Sequence, residues 1–185
     1  NKRVIASMVG VILFGIAWRL DLISGIGVLI ITLPYPRGTV FGSTTLASNR
    51  GVQIGPAAGS GTSTISVANG ANAIEAAVIA NAPGATGALN KIGIGRLTLS
   101  AANTFSGGVT VDGGTVNAGT NTAFGSGALT VNAGTVNLGT ATIGNTVFLN
   151  GGTIAGGTIN LATVKTLTAK AGTLSSLLTG DGSLS

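Results

Sequence analysis

The chain has 185 residues, of which 44% are hydrophobic, 32 are glycine and only 7% carry a charge. This much apolar sequence argues against intrinsic disorder, and the absence of cysteine and histidine excludes a disulfide framework, a thiolate metal site and the usual base for a serine nucleophile. The net charge of +5 is spread thinly, without a basic run that could follow a phosphate backbone, so nucleic acid is not an expected partner.

Residues 1–37 differ in character from the rest of the chain. Lys2-Arg3 precedes an apolar run, 4–17, and a second apolar run, 22–33, follows Arg19 and Asp21. This layout is typical of a secretory signal, and each run alone is too short to span a bilayer, for which about 20 apolar residues are needed. Three interpretations stay open: a signal or signal anchor, a membrane span with Arg19 and Asp21 near its middle, and an apolar cap or foreign sequence.

Residues 38–185 form the second segment, in which short alternating bursts predict strands. The bursts 97–99, 109–111 and 129–131 each place two aliphatic side chains on one face and a Thr on the other, as a half-buried strand does. Between bursts, 112–114, 132–134 and 150–152 begin with Asp or Asn and end with Gly, residues that tolerate positive φ, so these triplets are predicted corners. The stretch 73–80 suits a helix or a strand.

A Gly, usually followed by Thr and a branched aliphatic residue, returns at nearly constant intervals. The copies begin at Gly95, Gly114, Gly134, Gly152 and Gly172, so the successive intervals in sequence number are 19, 20, 18 and 20. Residues 108–120 and 128–140 also match at eight of thirteen positions. A unit this short does not fold alone and predicts stacked coils that bury their apolar sides against their neighbours.

The fixed phase of the repeat decides between two all-β architectures. An antiparallel sandwich has no reason to repeat the same residue at a constant interval, whereas a parallel β-helix aligns each strand with its copy one coil earlier. We therefore predict an all-β parallel β-helix of roughly seven coils and about 35 Å in length. The aliphatic side chains Val111 and Val131 are predicted to point inward, and Phe105, Phe124 and Phe148 are predicted to stack at one corner, because each follows an Asn-Thr pair.

Residues 89–111 resemble the autotransporter-associated β-strand repeat. The shared positions are Leu89, Lys91, Gly93, Gly95, Leu97, Leu99, Ser100, Asn103, Thr104, Gly107, Gly108 and Val111, and the departures are Arg96, Ala101, Phe105 and Val109. Segments 46–55 and 171–184 resemble its flanks. The resemblance implies a right-handed β-helical passenger, displayed at the outer membrane of a Gram-negative-type bacterium or secreted. Its expected partner is an outer-membrane β-barrel translocator in the full protein.

Few residues offer chemistry. The carboxylates of the second segment are Glu75, Asp112 and Asp181, of which the last two adjoin glycine and are interpreted as turn residues. Gly93-Ile94-Gly95 is interpreted as a corner, because a phosphate loop would need a third glycine and a following helix. Outward Thr98, Thr110 and Thr130 could form a hydroxyl row. We predict no catalytic, cofactor-binding or metal-binding residues and no cofactor.

Three functional hypotheses follow from this inventory. The favoured one is a structural, adhesin-like surface stalk without catalytic activity, with a host-cell or polymer surface as a further partner. The alternative is a fragment of a β-helical polysaccharide-degrading enzyme whose active site lies outside this chain. A third is a Thr ladder that binds ice or a crystalline polymer, which would need Thr-x-Thr in phase over many coils.

Overall fold

The computed structural model describes residues 37–40, 44–46, 48, 51–162 and 165–185. All regular elements in these residues are strands, so 73–80, where a helix was conceivable, contains parts of two strands. No helix that is long and apolar enough to cross a membrane occurs in this part of the chain. The strands are β1 Arg37–Val40, β2 Thr44–Leu46, β3 Val52–Ile54, β4 Gly59–Val67, β5 Asn72–Glu75, β6 Ile79–Asn81, β7 Ala85–Ile92, β8 Arg96–Leu99, β9 Val109–Val111, β10 Thr115–Ala118, β11 Leu129–Val131, β12 Thr135–Ile143, β13 Val147–Leu149, β14 Thr153–Asn160, β15 Thr166–Ala169, β16 Thr173–Thr179 and β17 Ser183–Leu184.

The strands pair in parallel to form a β-solenoid. Sheet A has eight strands in the order β1-β4-β7-β9-β11-β13-β15-β17, and sheet B has seven in the order β16-β14-β12-β10-β8-β5-β2. A third, two-stranded sheet joins β3 to β6. The solenoid makes about six turns of about 20 residues each, which confirms the predicted all-β, parallel, stacked architecture. Its handedness stays a prediction of the family resemblance.

The first coils of the solenoid are longer than the later ones. In sheet A, Arg37 pairs with Thr64 and Thr64 with Asn90, so the step in sequence number is 27 and then 26. The next step, from Leu89 to Val109, is only 20. The longer coils hold the additional strands β3 and β6, so they have a third sheet, and the shorter coils do not.

The repeat seen in the sequence is the register of the sheets. In sheet B the residues Leu97, Val116, Val136, Ile154 and Leu174 are successive pairing partners, and their spacings of 19, 20, 18 and 20 equal those of the repeated glycines. The first four of these side chains are buried. Val111 and Val131 are also fully buried, which confirms their predicted inward orientation. Each such side chain contributes roughly 1.5 to 3 kcal/mol by leaving water.

The predicted aromatic corner is wrong for one of its three members. Phe105 and Phe124 are fully buried, but Phe148 is 37% exposed. The reason is strand alternation: Val147 and Leu149 take the inward positions of β13, opposite Leu129 and Val131, so Phe148 between them points outward. Ile143, which comes one repeat interval after Phe124 in the sequence, is fully buried instead.

The predicted first segment, 1–37, lies outside the described residues except for Arg37, which begins β1. The interpretations of that segment as a signal, a membrane span or a cap therefore stay predictions.

Candidate functional site

Three-residue corners join sheet A to sheet B in every coil from β7 onward. These corner triplets are 93–95, 112–114, 132–134, 150–152 and 170–172. Gly114, Gly134, Gly152 and Gly172 have φ of +68°, +81°, +72° and +107°, whereas in the first triplet the left-handed residue is Gly93, at +75°. A Cβ added to Gly134 would overlap the carbonyl oxygen of Gly114. The corners therefore require glycine for both backbone conformation and close stacking.

Backbone hydrogen bonds fasten each corner to the one before it. The N–H groups of Thr115, Thr135, Thr153 and Thr173 donate to the carbonyl oxygens of Gly95, Gly114, Gly134 and Gly152 at 3.2, 2.8, 2.9 and 2.8 Å. From β9 onward the corner has the same length and the same bonds in each coil, so side chains at equivalent positions form straight columns along the solenoid.

Lys91 is a buried cation in the inward column of sheet A. It pairs with Ile65 on one side and Val111 on the other, and its side chain is fully buried. Its Nζ donates to the carbonyl oxygens of Ile92 at 2.8 Å, Gly93 at 2.7 Å and Gly113 at 3.2 Å. Gly113 belongs to the following coil, so Lys91 joins two consecutive corner triplets. Burial lowers the pKa of Lys91 to about 8.

The buried role of Lys91 was not predicted from the sequence, although a signal for it was present. Lys91 lies two positions after Leu89 and one repeat interval before Val111, so both strand alternation and the repeat place it on the inward face.

The outer corner column of Asp112, Asn132, Asn150 and Lys170 lies on the outside of the same corners, and side-chain hydrogen bonds join its first three members. Asn132 Nδ2 donates to Asp112 Oδ1 at 2.8 Å, and Asn150 Nδ2 donates to Asn132 Oδ1 at 2.9 Å. Both bonds point the same way, towards the carboxylate. At one end of the column, the carboxylate of Asp112 can only accept hydrogen bonds. At the other end, the ammonium group of Lys170 can only donate them.

Two residues before the outer corner column in each coil, strand pairing creates the outer strand column of Thr110, Thr130, Phe148 and Thr168. The three Thr side chains are half-buried, and the ring of Phe148 is the most exposed member. The predicted hydroxyl row of Thr98, Thr110 and Thr130 is thus wrong for Thr98, because a corner separates β8 from sheet A. Thr98 aligns instead with Asn117 in sheet B.

Sheet B carries a longer Thr column, Thr115, Thr135, Thr153 and Thr173. The outward positions two residues further on hold Asn117, Asn137, Ala155 and Ser175. Thr therefore recurs in phase over four coils, but the Thr-x-Thr pairs that the ice or crystalline-polymer hypothesis needs do not.

The three carboxylates lie in different places. Glu75 occupies an inward position of β5 opposite Leu99, and its Oε1 accepts a hydrogen bond from Ala77 N at 2.9 Å. Burial raises the pKa of Glu75 to about 7, and the bond from Ala77 opposes this rise. Asp112 and Asp181 lie between strands, as predicted for turn residues. No group of three or more His, Cys, Asp or Glu that could hold a metal ion is found in the described ranges.

The outward faces of the two sheets therefore present uncharged hydrogen-bonding groups, in regular columns, to a partner. Hydroxyl and amide groups recur in columns at the spacing of stacked strands, about 4.8 Å. Their positions are fixed by the corners and, in the outer corner column, by hydrogen bonds between the side chains themselves.

Comparison with known proteins identifies part of the chain. Residues 89–118, which run from β7 through β8 to the end of β10, match the family model of the passenger-associated-transport-repeat. No significant match to curated proteins or to solved structures was found. The matched segment contains Lys91, the first two corner triplets and the strands that join them. With its passenger-associated transport repeat inside a parallel β-solenoid, the chain fits a fragment of an autotransporter passenger.

Proposed function

We propose that this chain is a structural stalk of an autotransporter passenger, with an adhesin-like role, and that it acts by display rather than by catalysis. The observation that supports the proposal most is the repeat at 89–118, since passengers of this kind are exported to the surface of Gram-negative bacteria or released. A β-solenoid suits a stalk because each coil contacts only its neighbours, so the unit extends by repetition. The partner implied for the whole protein is the outer-membrane translocator to which such a passenger is linked.

The outer faces support a display role. Over the central coils Thr, Asn and Ser make up about half of the exposed positions, and the two ionisable residues described as buried, Glu75 and Lys91, are turned into the core. Neutral hydroxyl and amide groups can hydrogen-bond to a partner, and covering them costs less hydration free energy than covering charged groups would.

The test presents the chain on cells. We would place residues 1–185 between an export signal and a β-barrel translocator in a Gram-negative host, with an epitope tag at the distal end. We expect the tag to be accessible on intact cells and the cells to be retained on polymer-coated surfaces. The matched control carries Val131→Asp, which disrupts the core. Equal retention of control and parent cells, or a tag accessible only after lysis, would contradict the proposal.

A second assay addresses the alternative, a polysaccharide-degrading enzyme. The purified chain is incubated with neutral and acidic polysaccharides, and new reducing ends and unsaturated products are measured. We expect neither to exceed the level given by the Val131→Asp variant. Product formation by the parent chain alone would favour the enzyme.

A further inference from the structure

The ring of Phe148 is partly exposed on the outer face of sheet A. The neighbouring residues in β13, Val147 and Leu149, are buried, while Phe148 is 37% exposed between Thr130 and Thr168 of the adjacent coils. The equivalent position is Thr in three other coils, so the sheet itself does not require an aromatic residue there. An apolar ring therefore lies in a surface column that is otherwise made of hydroxyl groups.

Fixed polar groups lie two residues further along the same strands. Asn150 follows Phe148 in its own coil and Asn132 follows Thr130 in the preceding coil, and a 2.9 Å hydrogen bond between the two amides holds both side chains in place. A second bond fixes Asn132 to Asp112. Each amide has two donor hydrogens and a carbonyl with two lone pairs, so both retain free capacity for a ligand. The ring and the amides are about 7 Å apart along the strand.

The charges around these residues restrict what can bind. In the outer corner column, Asp112 lies one coil before Asn132 and Lys170 one coil after Asn150, so opposite charges mark the two ends. The residues between them, Thr130, Asn132, Phe148 and Asn150, carry no charge. A uniformly charged ligand would meet repulsion at one end, whereas a neutral ligand with hydroxyl groups matches the whole patch.

We propose that Thr130, Asn132, Phe148, Asn150 and Thr168 form a binding surface, the Phe148 platform, for a neutral polysaccharide of flat pyranose units. The apolar C–H face of one sugar ring packs on Phe148, and the hydroxyl groups at its edge bond to the Asn amides and the Thr hydroxyls. A flat sheet suits a polymer that itself presents flat faces. This inference rests on the adhesin-like role and adds the class of partner.

The test measures retardation of the full chain in native gels that contain a soluble β-1,4-linked neutral polysaccharide, either glucomannan or hydroxyethylcellulose. We expect retardation that persists in 0.5 M NaCl, and none with polygalacturonate. Phe148→Thr is the key variant, because Thr occupies this position in neighbouring coils and the fold should be unchanged by circular dichroism and thermal unfolding. Its dissociation constant should rise at least about fivefold, the scale of one lost aromatic contact.

Asn150→Ala should also weaken binding, and Thr153→Ala, which lies in sheet B, should not. The proposal is overturned if neither neutral polymer retards the parent chain, if Phe148→Thr binds as well as the parent, or if only polygalacturonate binds and salt removes it. Self-association that Phe148→Thr abolishes would identify a second copy as the occupant instead. The adhesin-like role fails separately, in the cell-retention assay, and survives if parent cells adhere while Phe148→Thr has no effect.

Discussion

Lys91 places an ammonium group in a column that otherwise holds aliphatic side chains. Burial of a charge is unfavourable unless hydrogen bonds replace its hydration, and here three carbonyl oxygens accept all the hydrogens of Nζ. Since one of these oxygens belongs to Gly113 in the next coil, the bonds form fully only when that coil is stacked in register. We infer that Lys91 specifies the stacking of the first two corners of the repeat.

Lys91→Met tests this role. Met keeps much of the apolar volume but leaves the carbonyls of Ile92, Gly93 and Gly113 without their donor, so we expect the free energy of unfolding at pH 7 to fall by about 1 to 3 kcal/mol. The measurement is urea unfolding followed by circular dichroism. Lys170→Met, at an exposed corner position, should change it by less than about 0.5 kcal/mol. Equal effects of the two substitutions would contradict the assignment.

Within a strand, the two faces differ sharply in what they tolerate. Val131 is fully buried in β11, and Thr130 beside it faces outward. Val131→Asp would place a carboxylate among Val111, Leu149 and their neighbours, and we expect it to destabilise the chain by more than about 3 kcal/mol or to prevent folding. Thr130→Asp should cost less than about 1 kcal/mol. Thermal unfolding of both variants checks this, and similar midpoints would mean that the assigned faces are wrong.

The corners can be tested by a pair of glycines. Gly134 has a φ of +81°, and a side chain there would meet the backbone of the preceding corner. Gly144 has nothing within 4 Å of an added Cβ. We expect Gly134→Ala to lower the free energy of unfolding by about 2 kcal/mol or more, and Gly144→Ala to change it by less than about 1 kcal/mol. Urea unfolding decides, and an unchanged midpoint for Gly134→Ala would refute the close-packed corner.

At the scale of the whole molecule, the two buried ionisable groups predict how stability varies with pH. The raised pKa of Glu75 contributes stability that is fully present below pH 4.5 and is lost as the pH rises through about 7. The lowered pKa of Lys91 contributes stability that is fully present above pH 10.5 and is lost as the pH falls through about 8. These two groups together place the minimum of stability between about pH 7 and pH 8.

We therefore expect a higher urea midpoint at pH 5 than at pH 7.5, with a gain of up to about 3 kcal/mol from Glu75. Glu75→Gln has the same shape and cannot ionise, so it should reduce this difference. A parent chain whose midpoint is the same at pH 5 and pH 7.5, or a Glu75→Gln variant that keeps the full difference, would show that Glu75 is not the cause.

The parts of the fold that sequence could predict are those where the repeat is regular. Identical residues that recur 20 positions apart predicted the strand register, because stacked strands pair equivalent residues of successive coils. Val116 and Val136 are one such pair. The long first coils, with β3 and β6, have no such copies, so their third sheet had no signal. The prediction for Phe148 was wrong because it used the recurring Asn-Thr pair, whereas strand alternation with Val147 and Leu149 places Phe148 outward. The burial of Lys91 was not predicted because lysine side chains are usually exposed in proteins.

The two connections between sheet A and sheet B differ in how much their lengths vary from coil to coil. The turn from sheet A to sheet B has the same three-residue length in each coil from β9 onward, whereas the return path from sheet B to sheet A accounts for most of the shortening between the first coils and the later ones. Residues can thus be added or removed on the return side without shifting either register. One edge of the rod keeps its stacking geometry, while the opposite side can acquire loops or whole inserted modules.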